Sequence, residues 1–237
     1  MEILYEAIRR IQPTNLSLLA QVQSRLDRLT KPIGSLGRLE ELAARYVMIT
    51  GEMKPKVPRG AVFTFAADHG VTVEGVSAYP SAVTPQMVLN FLRGGAGVNV
   101  LARHVGIEVR VVDIGVNFDF EAVPGLIHKK IMPGTKNLLV EPAMSPMQAE
   151  QALQVGIELA TLAVQQGVGL IGTGEMGIGN TTASSAIAAV MTGRPVAEVT
   201  GRGTGIDDAS HARKIDVIQR ALAIHRPDSA NAMEVLA

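Results

Sequence analysis

The stretch Val168 to Ser185, VGLIGTGEMGIGNTTASS, holds the residue types best suited to grip an anion. An apolar start runs through Gly172, Gly174, Gly177 and Gly179 into Asn180-Thr181-Thr182. Glycines let backbone N–H groups come close to an anion, and a helix start adds unpaired donors and the positive end of a dipole. The expected order is a buried strand from Val168, a glycine turn, and a helix over 183–191 capped by Asn180 to Thr182. Two familiar templates fall short. Gly174-x4-Gly179-Asn180-Thr181 has P-loop spacing, but Asn180 stands at the lysine position, which disfavours triphosphate hydrolysis. Gly172-x-Gly174-x-x-Gly177 has the spacing of a dinucleotide fingerprint, with Glu198 downstream to meet a ribose, which keeps a dehydrogenase as an alternative. The glycines run on to Gly179, however, and the helix opens with hydroxyls. A cradle for one phosphomonoester suits these residues better, with Glu175 turned from the phosphate toward a reacting sugar or base. A tight turn without ligand is the plain alternative.

Other residues supply chemistry around this stretch. Ser77, Tyr79, Gln86 and Met87 combine apolar area with a few hydrogen-bonding groups, the make-up of a pocket for a flat aromatic ligand. An ordinary loop and helix start fits them equally. Asp68-His69 suits an acid/base couple or a metal pair, but a structural histidine at a strand end is the commoner use of such a pair. Arg202, inside the second glycine turn Gly201 to Asp207, can pair with a phosphate or simply face solvent. The sequence has no HExxH and no GxSxG, so no catalytic metal and no hydrolase elbow are expected.

These groups need elements to position them. Residues 61–67, AVFTFAA, read as a buried strand ending at Asp68, and 107–114 as a second ending at Asp113. Thr84-Pro85 reads as N-cap and first helical residue, and Ser145-Pro146-Met147-Gln148 as a capping box. The helix after it is expected to bury Ala149, Leu153, Ile157 and Ala160. The one after Asp207 is expected to bury Ala212, Ile215, Ile218 and Leu222. Residues 116–144 read as irregular, which leaves three clear strands. Residues 1–55 read as a helical lobe with Leu19, Val22, Leu26, Leu29, Leu39 and Leu42 on its apolar faces, and a soft boundary falls at 54–60. Strands alternating with helices over 60–237 predict an α/β fold, a parallel doubly wound sheet flanked by helices, beside the small N-terminal helical lobe.

Composition narrows the function. The 237 residues carry 22 basic and 22 acidic side chains, which argues against a nucleic-acid surface, and the 3% aromatic content weakens any stacking platform. The absence of cysteine excludes disulfides and thiol nucleophiles and agrees with a cytoplasmic protein. No apolar run reaches the roughly 18 residues of a membrane span, and the start MEILYEAIRR is unlike a signal peptide.

Six stretches together resemble one enzyme family. They are LTKPIGSLGRLEELA at 29–43, AADHGV at 66–71, GVSAYPSAVTPQMVLNFLRGGAGVNVLAR at 75–103, DIGV at 113–116, GTGEMGIGNTTAS at 172–184 and TGRGTGID at 200–207. The chain is similar to the nicotinate-nucleotide–dimethylbenzimidazole phosphoribosyltransferases, which assemble the lower-ligand nucleotide of cobalamin. The resemblance implies transfer of the phosphoribosyl group of nicotinate mononucleotide to 5,6-dimethylbenzimidazole, giving α-ribazole 5′-phosphate and nicotinate. It implies a homodimer and no cofactor. Gly177, Gly179, Asn180, Thr181 and Thr182 would hold the phosphate, with Gly203 and Thr204 on the nucleotide side. Ser77, Tyr79, Gln86 and Met87 would line the base pocket, and Met176 would touch the ring. Glu175 matches a supporting carboxylate. The family's general base is a glutamate in a C-terminal GEGTGA segment, which these 237 residues do not contain. The expectation is therefore a shortened form, weakly active or a non-catalytic nucleotide-binding module.

Overall fold

Segments rich in Val, Ile, Phe and Ala pair side by side because their runs are apolar on both faces, as parallel strands covered by helices require. The computed structural model describes residues 2–237 and divides into two units, Glu2–Pro58 and Arg59–Ala237. The first unit holds α1 (Glu2–Arg10), α2 (Leu19–Asp27) and α3 (Arg38–Thr50). In the second, β1 (Arg59–Ala67) leads through a 3-10 turn (Gly70–Glu74) to α4 (Val83–Leu92) and α5 (Gly97–His104). Next come β2 (Glu108–Gly115), β3 (Leu126–His128), α6 (Pro146–Gln165), β4 (Val168–Met176), α7 (Asn180–Thr192), α8 (Val196–Val199), α9 (Asp208–His225) and α10 (Ala232–Leu236).

All four strands are parallel in the order β3-β2-β1-β4. The chain steps outward from β1 to β2 to β3, then returns to the other side of β1. The crevice at the carboxyl ends of β1 and β4 is thus the switch point, where ligands of open α/β sheets collect. Side chains alternate across the sheet. Val111 joins Ala66, Val88, Phe91 and Phe120 in a core under α4, while Val112 joins Phe63, Val155, Leu159 and Ala163 in a core under α6. Helices on both faces make the sheet doubly wound.

Several sequence expectations need correction. The short strand β3 lies in the region read as irregular, where three residues are too few for a periodic signal. β4 runs on to Met176, so Gly172 and Gly174 are strand residues paired with Val62 and Thr64, not turn residues. β4 is also an edge strand, with Val168 buried but Leu170 51% exposed. Thr84 is not a cap: α4 starts at Val83 after Ala82, and Thr84 is fully buried. The helix after the capping box turns a different face inward, burying Val155, Leu159 and Ala163 beside Ala149. In the helical lobe the buried face is Val22, Ala44, Val47 and Met48, whereas Leu29, Leu39 and Leu42 are exposed.

Two buried acids shape the ends of elements. Asp113, 1% exposed, accepts from the N–H groups of Gly115 and Val116 at 3.2 and 2.9 Å and pairs with Lys130 at 3.3 Å. It pins the chain as it leaves β2. Asp113→Ala strands those donors and should lower stability by about 3 kcal/mol, read as a lower urea midpoint at unchanged slope. In the lobe, Glu40 pairs with Lys31 at 2.8 Å and accepts from the Leu36 N–H at 3.0 Å. The Lys31 contact first, and then that N–H, hold the Glu40 carboxyl below its ordinary 4.5. A depressed carboxyl stabilises the folded lobe above the ordinary value and ceases to as pH falls through the lowered one. The protection of the Val47 amide, measured against its intrinsic exchange rate at each pH, should therefore fall on acidification, and Lys31→Met should flatten that dependence.

Candidate functional site

β4 ends beside β1, and the chain must turn sharply to start α7. Gly177 permits that turn, because a Cβ there would lie 2.2 Å from the Ala67 carbonyl oxygen and 3.0 Å from the His69 ring. Gly179, at φ +91°, is the N-cap of α7. The helix therefore begins at Asn180, earlier than its sequence suggests, and no side chain caps it. Thr84 braces the turn from α4, its buried hydroxyl accepting from the Ile178 N–H at 3.2 Å.

The N–H groups of the first helical turn are already paired. Asn180 and Thr182 donate to the carbonyls of Gly177 and Gly179 at 3.1 and 3.0 Å, and Thr181 donates to Asn180 Oδ1 at 2.7 Å. With its oxygen so engaged, the Asn180 amide points Nδ2 at the Glu175 carboxylate. This network holds Glu175, which is exposed at the end of β4, as a fixed negative charge.

The positive charge comes from elsewhere in the chain. α9 buries Lys214, Val217, Ile218 and Ala221, a face rotated from the expected one. Lys214 is 1% exposed, and its ammonium donates to Thr181 Oγ1 at 2.6 Å and to the Gly201 carbonyl at 3.2 Å. Among the described residues no carboxylate pairs with it, and loss of water pushes its pKa below 10.5. An ammonium has three donors, and two are used. Above it lies Gly203, at φ +55°, where a Cβ would sit 3.0 Å from Thr181 Oγ1 and 3.7 Å from Lys214 Nζ. The missing side chain leaves the space over the ammonium open.

One pocket of 100 Å³ gathers these parts. Of the residues singled out in the sequence, Ser77, Met176, Gly177, Gly179, Asn180, Thr181, Gly203 and Thr204 line it, with Arg202 and Lys214. Arg202 also pairs with Asp208 and donates to the Ile206 carbonyl at 3.0 Å. The other residues lie apart. Thr182 is fully buried and its hydroxyl has no partner. Met87 packs against the core under α4, and Tyr79 is 52% exposed on its loop. Gln86 lines a separate cavity of 620 Å³ at the ends of β1 and β2, with Asp68 and His69. Lys214 was missed because a lysine spaced among Ile215, Ile218 and Leu222 reads as the solvent face of its helix. Its position after the second glycine turn was the only available hint. Among the described residues no cluster of three or more His, Cys, Asp or Glu forms a metal site, and no helix is long and apolar enough to cross a membrane.

Comparison with known proteins gives the family. A family profile described as "Phosphoribosyltransferase" matches residues 11–237. A nicotinate-nucleotide–dimethylbenzimidazole phosphoribosyltransferase of Geotalea uraniireducens is 59% identical over 237 residues, which is 100% of this chain and 67% of that protein. The protein of the same name from Geobacter sulfurreducens is also 59% identical over the same shares. The crystal structure of CobT from Thermus thermophilus superposes with a TM-score of 0.87 at 48% identity, covering 93% of this chain and 66% of that one. The chain thus spans about two thirds of the length of these relatives. Matched from residue 11 to its last residue, with the glycine turns of the pocket inside the match, the chain belongs to this phosphoribosyltransferase family.

Proposed function

We propose that the chain carries the nucleotide-gripping part of a nicotinate-nucleotide–dimethylbenzimidazole phosphoribosyltransferase, acting as a cytoplasmic homodimer. The observation that carries this reading is the unpaired buried ammonium of Lys214, enclosed by two glycine turns. The third N–H of Lys214 and the hydroxyl of Thr181 receive the single phosphate of nicotinate mononucleotide. Arg202 adds charge at the rim. A phosphate fixed there aims the ribose along the pocket toward Met176 and Glu175. The leaving pyridinium already carries positive charge, so no acid is needed to expel nicotinate. Positive charge spreads onto the ribosyl carbon as that bond breaks, and a carboxylate held by Asn180 opposes it without having to reorganise. The incoming benzimidazole attacks through one ring nitrogen and gives up the proton on the other to a general base. Family resemblance supports the substrates, the homodimer and the compartment. The dinucleotide reading loses its footing, since Gly172 and Gly174 are tied into the β1–β4 ladder and cannot wrap a pyrophosphate.

Calorimetric titration tests the grip. Nicotinate mononucleotide should bind, and a nicotinamide dinucleotide should bind far more weakly. Lys214→Met removes a charge-assisted contact and should weaken the mononucleotide by about tenfold or more while the protein stays folded. Equal binding by Lys214→Met would sink this reading. Gly203→Ala should also weaken it, because the methyl group enters the space over the ammonium and its backbone stays in the left-handed region.

The lowered pKa of Lys214 gives two pH effects of opposite sign. Phosphate affinity should fall as pH rises through the lowered value, below where an exposed lysine would discharge. Over the window from there to 10.5 the folded protein binds fewer protons than the unfolded chain, so stability without ligand should rise with pH. Paired calorimetry and thermal melts across that window check both, and Lys214→Met should lose both.

A further inference from the structure

The second glycine turn has no apolar hold of its own. Gly201 to Gly205 are all exposed, and Ile206 is the first buried residue after Thr200. Glycines at 201, 203 and 205, the last two at positive φ, leave this backbone many conformations to choose from. Hydrogen bonds must therefore select one. Arg202 donates to the Ile206 carbonyl, which closes the turn on itself without tying it to a helix. The Arg202–Asp208 pair reaches α9, but both side chains are exposed and such pairs contribute little. The firm ties are at the entry to the turn, where three successive carbonyls are held by helix side chains. Ser185 of α7 donates to that of Val199 at 3.2 Å, His211 of α9 holds that of Thr200 at 2.8 Å, and Lys214 of α9 holds that of Gly201 at 3.2 Å. A ring nitrogen facing a carbonyl must carry the proton, so Nε2 of His211 is the donor. Thr200 is itself buried, so its carbonyl has little water to turn to if the ring is removed.

We infer that His211 is a positioning residue for the pocket at Gly203: its Nε2–H, bound to the Thr200 carbonyl, holds the turn in the conformation that leaves the space over the Lys214 ammonium open. The inference rests on the reading of that pocket as a phosphate site. His211 does not line the pocket and touches no ligand there. It lies three residues before Lys214, on the same face of α9, so one helix both anchors the turn and supplies the charge beneath it. Without His211 the tie from Lys214 to Gly201 would be the one buried link between α9 and the turn, and a phosphate would draw on that same ammonium. The turn would then sample other conformations. Anion affinity would fall in proportion to the share of molecules whose turn stays open. His211 thus does for the second glycine turn what Thr84 does for the first.

The probes are inorganic phosphate and nicotinate mononucleotide, titrated by calorimetry into the full chain as wild type, His211→Leu and His211→Gln. Leucine keeps apolar bulk on α9 but has no donor, whereas the glutamine amide can reach the same carbonyl. His211→Leu should bind both probes about tenfold more weakly and should shift the Gly203 and Gly205 amides in the ¹H–¹⁵N spectrum before any ligand is added. His211→Gln should recover affinity to within about twofold, a rescue that loss of general stability would not show. Ring ¹⁵N shifts of the wild-type protein should place the proton of the neutral His211 ring on Nε2. The inference is overturned if His211→Leu binds as tightly as wild type, if glutamine does no better than leucine, or if the neutral ring carries its proton on Nδ1. The last outcome is read on the unaltered protein, so it stands even if His211→Leu fails to fold. Phosphate binding that depends on His211, with no binding of nicotinate mononucleotide, would count against the transferase reading alone. Equal binding of the mononucleotide by all three proteins would count against the role of His211 alone, and binding of neither probe by the wild type would overturn both.

Discussion

An ammonium taken out of water with no carboxylate beside it among the described residues is the constraint around which the pocket at Gly203 is built. Burying a charge unpaired is expensive, and the usual relief is a shifted pKa or dense hydrogen bonding. Lys214 shows both: its pKa is lowered, and Thr181 and Gly201 accept two of its protons. The third has no acceptor among the described residues. Such an arrangement favours an anion over water, because a phosphate brings the counter-charge that the protein withholds.

The supporting contacts follow from that need. Thr181 must face α9, so α7 must begin close against β1, and Gly177 makes the close approach possible. The Thr84 hydroxyl then fixes the turn from α4, which is itself packed on the sheet by Val88 and Phe91. Asn180 orients Glu175 with one end of its amide and holds the Thr181 N–H with the other. Glu175 and Lys214, opposite in charge, are thus linked through two adjacent residues without touching. The neighbouring strand end is fixed by Asp113, whose acceptor bonds shape the loop that reaches Asn117 and Asp68. Both cavities therefore rest on β1, one of the two strands with a partner on each side.

Much of this was legible in the residues. The α/β architecture followed from apolar runs of strand length alternating with capped helices. The sharp turn between β4 and α7 followed from the glycines at 177 and 179. The capping box at Ser145 is local chemistry and stands as read. Where the reading failed, long-range pairing had overridden a local signal. Gly172 and Gly174 look like turn residues alone, yet the β1 ladder holds them in a strand. Thr84 looks like a cap before proline, yet its hydroxyl is claimed by Ile178, distant in sequence.

By itself, the sequence determined the class of fold and the family, because each depends on neighbouring residues and their periodicity. Only the tertiary structure decided which face of α9 turns inward, and so that Lys214 supplies the charge. It also decided that Gln86 lines a cavity apart from the pocket at Gly203, and that an oxygen of Asp68 lies buried and unpaired. The reason is physical. Helical periodicity fixes which residues share a face but not which face is covered, and that choice belongs to elements packed against it from far along the chain.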